Sequence, residues 1–196
     1  RYRQFNQINF EILGSDDYLA DVELITIAND ILSEIIPKSE IELNINSLGT
    51  KKNLIDYKIS LTKFFNNNKL KLSEDSLKKI NSNPLRILDS KAKEDIEACK
   101  LAPSLLDFIT KDEKNHFNSI KRSLKSLNIN FIENPRLVRG LDYYCSTVFE
   151  FKTKHLGSQD TLLGGGRYNG LVKLLGGPDI PGIGWAAGIE RILMLM

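Results

Sequence analysis

Residues 143–191 read YYCSTVFEFKTKHLGSQDTLLGGGRYNGLVKLLGGPDIPGIGWAAGIER, and this stretch decides the fold class. Tyr143–Phe151 is dense in aromatic and β-branched residues and predicts a strand. Further strands are predicted near Gln159–Leu163 and at Ile183–Ala187, with a helix from Gly188 onward. Only a polar turn, a short helical run at Tyr168–Leu175 and a turn containing Pro178 and Pro181 separate them. Successive strands with so little helix between them favour an antiparallel sheet over a doubly wound parallel one. The triplet Gly164-Gly165-Gly166 lacks the Gly-Lys-Ser/Thr ending of a phosphate loop. It is expected as a tight strand-to-helix corner, where backbone approaches a ligand or another strand closely.

Outward from this stretch, residues 3–13 alternate. Ile8, Phe10 and Ile12 form the expected core face, and Phe5, Gln7, Asn9 and Glu11 point the other way. Gly14-Ser15 ends the strand, and Asp16 and Asp17 open a helix at its positive end. That helix carries Tyr18, Val22, Ile25, Leu32 and Ile35 on its buried stripe and closes at Pro37. Ile41–Ile45 predicts a second strand. Helices are expected near 50–66, 73–81, 93–98 and 112–127, the last with Phe117, Ile120, Leu124 and Leu127 on one face. The class is α+β.

Composition narrows the function. The 196 residues are 41% hydrophobic and 27% charged, an ordinary globular balance, and no apolar run approaches the roughly 18 residues of a membrane span. Cys99 and Cys145 cannot build a disulfide framework, and beside only His116 and His155 they offer no zinc spacing. A reducing, cytoplasmic setting is expected. Neither histidine has an Asp or Cys partner at motif spacing, so a nucleophile-based hydrolase is unsupported. The net charge of +2 hides an asymmetry. Residues 1–45 hold three basic and nine acidic side chains, residues 46–134 seventeen and eleven, and residues 135–196 seven and five. Eleven of thirteen glycines follow Asn134, and the middle block has only Gly49. Residues 46–134 are therefore expected as a mostly helical insertion, flanked by residues 1–45 and 135–196 as two parts of one domain. The chain starts in a strand and ends in a helix, so it is expected to be a piece of a longer protein.

Three places invite chemistry. Gln7 and Glu11 are about 13 Å apart along their strand, a span that suits a ligand lying along it; a solvated sheet face has the same pattern. Arg139 beside Gly140 can bring a bidentate donor to a phosphate or carboxylate, or be an ordinary loop arginine. The following Tyr143 and Tyr144 are expected on opposite faces of their strand. Arg191, in the first turn of the last helix, opposes the macrodipole unless an anion or π-system offsets it. The free N–H groups there attract phosphate, and a salt bridge to Glu190 or a neighbouring acid is the alternative.

Taken together, these segments resemble histidyl-tRNA synthetase, a class II aminoacyl-tRNA synthetase family, along nearly the whole chain. Arg1–Glu11 (RYRQFNQINFE) resembles the loop and second strand of motif 2, and Leu137–Tyr144 (LVRGLDYY) the first histidine-specific signature. Gly165–Leu171 (GGRYNGL) resembles the second signature and Gly184–Arg191 motif 3. Asn83–Lys91 (NPLRILDSK) resembles the bacterial-type insertion domain. Asn6 and Asn169 stand where the family usually has His and Asp.

The resemblance implies an antiparallel sheet flanked by helices. It implies activation of L-histidine with ATP, accompanied by Mg2+, then transfer to tRNA(His), by a cytoplasmic homodimer. Arg1, Tyr2 and Arg3 would face ATP and the tRNA end, Phe5 would stack on adenine, and Arg191 would clamp ATP from the opposite side. Gln7 would contact the histidine amino or carboxylate group. Glu11 would read the imidazole with Tyr144, with Tyr143 and Tyr168 also in the histidine pocket. Arg139 would sit on the α-phosphate and the histidine carboxylate. Motif 1, the first motif 2 strand and an anticodon-binding domain are expected outside these residues, leaving the 196-residue chain inactive or nearly so. Two alternatives share features: the synthetase-like regulatory subunit of ATP phosphoribosyltransferase, and a lysine-rich RNA-binding module. The regulatory family typically lacks the insertion and tends to lose the arginine matching Arg139.

Overall fold

The computed structural model describes residues 4–141, 143–157 and 160–196. Strand β1 (Gln7–Leu13) leads to α1 (Tyr18–Ile35), which begins where Asp17 Oδ1 accepts the Leu19 N–H at 2.8 Å. That bond satisfies one of the first-turn donors a helix leaves open. The order continues with β2 (Glu42–Ser47), α2 (Lys51–Asn67), α3 (Glu74–Leu77), α4 (Leu85–Leu88), α5 (Lys93–Cys99) and α6 (Lys111–Ser126). It closes with β3 (Ile132–Glu133), β4 (Cys145–Lys152), β5 (Thr161–Arg167), α7 (Leu171–Leu174), β6 (Gly182–Gly188) and α8 (Ile189–Leu193).

The strands form one sheet in the order β1-β6-β5-β4-β2-β3. Every pairing is antiparallel except the short β2/β3 contact, which is parallel. The α+β class stands, with a mixed rather than purely antiparallel sheet. One sheet face is apolar, through Ile45, Phe149, Phe151, Leu163 and Trp185. α1 closes it with Val22, Ile25 and Leu32, and α6 with Phe117, Ile120 and Leu124. A second apolar cluster gathers residues of α2, α4 and α5 with Leu137, Tyr144 and Val148. Val148 pairs with Gly166 of β5, so this cluster walls one side of the opposite sheet face.

Several expectations need correction. Ile8 and Phe10 are 48% and 39% exposed, because β1 is an edge strand and only Ile12 reaches the core. Phe10 instead stacks on Trp185, with ring centroids 4.8 Å apart. The helix expected over 73–81 is helical only from Glu74 to Leu77. Turns then carry the chain to Pro84, which has no N–H to continue a helix. Leu127 caps α6 rather than joining its buried face, since Asn128 turns the chain with φ +57°. The glycine triplet lies inside β5, not at a corner beyond it.

Candidate functional site

The sheet face opposite α1 and α6 has a floor almost free of side chains. Register aligns Glu11 of β1 with Gly184 of β6 and Gly166 of β5. The next row aligns Asn9, Ala186, Gly164 and Glu150. The glycines are needed for close approach: a Cβ on Gly184 would overlap the Glu11 carboxylate, and one on Gly164 would overlap the Arg139 guanidinium. Polar side chains from the rim therefore lie flat across backbone, and a ligand can do the same.

Above this floor is a cavity of about 890 Å3 whose lining includes Phe5, Gln7, Arg139 and Arg191. Its size suits a nucleotide-scale ligand. Phe5 presents a ring 61% exposed at one edge. Arg139 Nη1 donates to Glu150 Oε1 at 2.7 Å, and its guanidinium carbon lies 5.2 Å from the Tyr144 ring centroid. This places Arg139 in a built setting rather than on an ordinary loop surface. Arg191 Nη1 donates to the Thr161 carbonyl. Beside it, Glu190 Oε1 accepts from both Asn6 donors, N and Nδ2, at 2.8 Å. Hydrogen bonds from its own backbone N–H and from Asn6 outweigh desolvation and hold the Glu190 carboxyl below the usual range.

Farther along the same face Glu11, Tyr143, Tyr144 and Tyr168 form a second group. Tyr168 Oη donates to Glu11 Oε2. The Tyr143 ring sits 4.6 Å from Tyr144 and edge-on to Tyr168 at 6.2 Å. Burial, then the Glu11 carboxylate, push the Tyr168 hydroxyl well above its ordinary pKa, and burial with its bond to Tyr144 pushes Tyr143 up to about 12. Both phenols are neutral donors at physiological pH. The expected alternation of Tyr143 and Tyr144 fails: both precede β4 and pack in the second apolar cluster. A register shift between Cys145 and Val148, with Ser146 at φ +48°, re-aims the chain there. Glu11 is solvent-exposed. Arg1, Tyr2 and Arg3 lie outside the described residues. Tyr144, under Arg139 and against Tyr143, joins the two groups.

Sequence reasoning missed two charged residues. Arg167 is fully buried, with Nε and Nη2 on Asp21 Oδ2 at 2.8 and 2.6 Å and further donors on the Ser15 and Asp17 carbonyls. It fastens the start of α1 beneath the glycine floor. An arginine ending an otherwise apolar strand, with aspartates opening a helix elsewhere, was the available signal. His116 Nε2 lies 3.4 Å from the same Asp21 carboxylate, a neighbour distant in sequence and not at motif spacing. The second miss, Glu150, interrupts an apolar run on β4 and faces the cavity side by register. Cys99 and Cys145 are free, and burial raises both thiols, Cys99 to about 11, so neither is a ready nucleophile. Among the described residues no helix is long and apolar enough to cross a membrane.

The histidine–tRNA ligase of Ehrlichia ruminantium strain Gardel is 50% identical across the whole chain, which covers 47% of that relative. The Gluconobacter oxydans ligase of the same name is 45% identical, again with 47% of its length covered. The chain thus spans about half the length of these curated relatives. The apo histidyl-tRNA synthetase structure from S. aureus superposes with a TM-score of 0.74 at 35% identity, covering 99% of this chain and 47% of that one. A Bacillus halodurans structure described as an ATP phosphoribosyltransferase regulatory subunit/histidyl-tRNA synthetase shares the fold, with a TM-score of 0.62 at 19% identity, covering 97% of this chain and 53% of that one. A model of the histidyl-tRNA synthetase family matches residues 1–192, and the chain belongs to that family.

Proposed function

We propose that this chain carries the amino-acid activation site of a histidine–tRNA ligase, which joins L-histidine to ATP as histidyl-adenylate, releases pyrophosphate and transfers histidine to tRNA(His). The observation that carries this reading is the glycine-floored cavity with Arg139 and Arg191 on it and the Glu11–Tyr168 pair at the far end of the same face. In-line attack of a carboxylate on phosphorus needs positioning and fixed positive charge rather than a protein nucleophile. Phe5 would stack on adenine, Arg191 would hold the nucleotide, and Gln7 would take the amino or carboxylate group of histidine. Arg139 would offset charge building on the α-phosphate. Glu11 would accept an imidazole N–H, with Tyr168 keeping the carboxylate oriented and Tyr143 and Tyr144 closing the pocket. ATP enters as its Mg2+ complex, with the ion part of the substrate. Arg1, Tyr2 and Arg3 are assigned to ATP and the tRNA end on the family resemblance alone.

In the same reading residues 46–134 are an insertion between two parts of a catalytic unit, 1–45 and 135–196. The hydrogen-bonded pairing of β2, which runs two residues into that block, with β4 beyond it supports this. The homodimer and the cytoplasmic setting are also part of the proposal. Histidine-dependent ATP–pyrophosphate exchange by the intact polypeptide, at the length of its relatives, is the test. We expect exchange that Arg139→Ala lowers by roughly 100-fold or more; full exchange in that variant would sink the assignment.

A further inference from the structure

We infer that Glu150 is a positioning residue for the activation step, holding the Arg139 guanidinium flat over Gly164 before substrate arrives; this rests on the reading of Arg139 given above. Glu150 sits on β4 directly across from Gly164 of β5, so its carboxylate and the guanidinium it holds share one row of the floor. The pair is largely covered, with side chains 19% and 14% exposed for Arg139 and Glu150, so solvent screening is weak. Oε1 takes Nη1 of Arg139 at 2.7 Å. Oε2 lies 3.3 Å from Lys152 Nζ and 3.4 Å from Thr161 Oγ1, which fixes the carboxylate plane from the other side. Arg139 Nε is buried and has no acceptor among the described residues. Glu150 and the Tyr144 ring are therefore the polar and π contacts that set the orientation of the head group.

A long arginine chain loses rotamer freedom when it must present a fork in one direction. A carboxylate that meets that cost in the free protein leaves less for the substrate to supply, and misplacement by about 1 Å can cost 100-fold in rate. Glu150 does not touch the reacting atoms in this scheme; it acts through Arg139.

A double-mutant cycle in pyrophosphate exchange, using the intact protein, tests this with Arg139→Ala, Glu150→Ala and the pair. We expect Glu150→Ala to lower kcat by about 10- to 100-fold, and the double variant to be no slower than Arg139→Ala alone. Glu150→Gln, which keeps shape and one acceptor, should recover part of the loss and serves where the alanine variant folds poorly. Losses that multiply in the double variant would assign Glu150 a role independent of Arg139 and overturn the inference, as would full activity in folded Glu150→Ala. If Arg139→Ala itself exchanges at full rate, the activation reading fails first, and that outcome is distinct from the other two.

Discussion

Gly164 and Gly165 are neighbours on β5 with opposite jobs, because a strand turns successive positions to opposite faces. The atoms nearest a methyl at 164 belong to the tip of the Arg139 side chain, whereas one at 165 would meet the Gly184 carbonyl, Trp185 Cβ at 2.6 Å and Phe149 Cζ at 2.9 Å. Gly164→Ala is therefore expected to keep its melting temperature within a few degrees while pyrophosphate exchange falls roughly 10- to 100-fold through displaced Arg139. Gly165→Ala overpacks the core, and urea unfolding should show a loss of about 1–3 kcal/mol. Equal effects in the two variants would contradict this division of faces. Arg167 offers a second test. Arg167→Met removes the guanidinium from Asp21, which is fully buried. A buried charge stripped of its partner costs about 3–5 kcal/mol, so this variant should unfold at markedly lower urea than Gly164→Ala. Neither glycine's role was legible in the sequence. The triplet signalled close approach, but which backbone approaches from which side depends on strand order, and the residues that approach lie 16 to 25 positions away.

At the scale of elements, local pattern held where the element packs along its own length. The capping aspartate of α1, the extents of α2, α5 and α6 and the strand at β6 follow from periodicity and end signals that tertiary contacts reinforce. The region around α3 did not follow, because it is tied by one side chain rather than by an apolar stripe. Asp95 of α5 accepts the Ser73 N–H at 2.8 Å and the hydroxyls of Ser73, Ser76 and Ser90 at 2.7, 2.7 and 2.6 Å. Burial alone would raise its pKa, yet the bonds from Ser90, Ser73 and Ser76 together hold it below the usual carboxylate value. A carboxyl whose pKa is depressed on folding stabilises the native state fully above its unfolded value of about 3.9, and that contribution fades as pH falls through the lower folded value. Asp95→Asn should accordingly cost about 1–3 kcal/mol at pH 6. The gap from the parent protein should narrow when urea unfolding is repeated near pH 3. A gap that stays constant with pH would show that the ionised carboxylate is not what holds these segments together.

Across the whole molecule, charge is sorted by position, with net values of −6 for residues 1–45, +6 for 46–134 and +2 for 135–196. The site's charged residues come from both flanks, which antiparallel pairing of β1, β6, β5 and β4 brings onto one face. That convergence was visible in the sequence only as motifs far apart; the floor that unites them is a property of register. The basic block has a different disposition. Its helix α6 turns Phe117, Ile120 and Leu124 to the core and leaves Lys111, Lys114, Arg122 and Lys125 exposed. A partner carrying phosphates, which the family resemblance makes tRNA(His), would be drawn to such a face. Contacts of this kind release counterions, so binding weakens as salt rises, by roughly 0.7–0.9 in the log–log slope per phosphate neutralised. Replacing Lys111, Lys114 and Lys125 with Gln in the intact protein should weaken tRNA binding and flatten that slope by about 2 if all three meet phosphates. Pyrophosphate exchange, which uses no tRNA, should stay at the parent rate. An unchanged affinity and slope would make this face of α6 a solvated surface, and a fall in exchange would mean the substitutions had disturbed the core behind it.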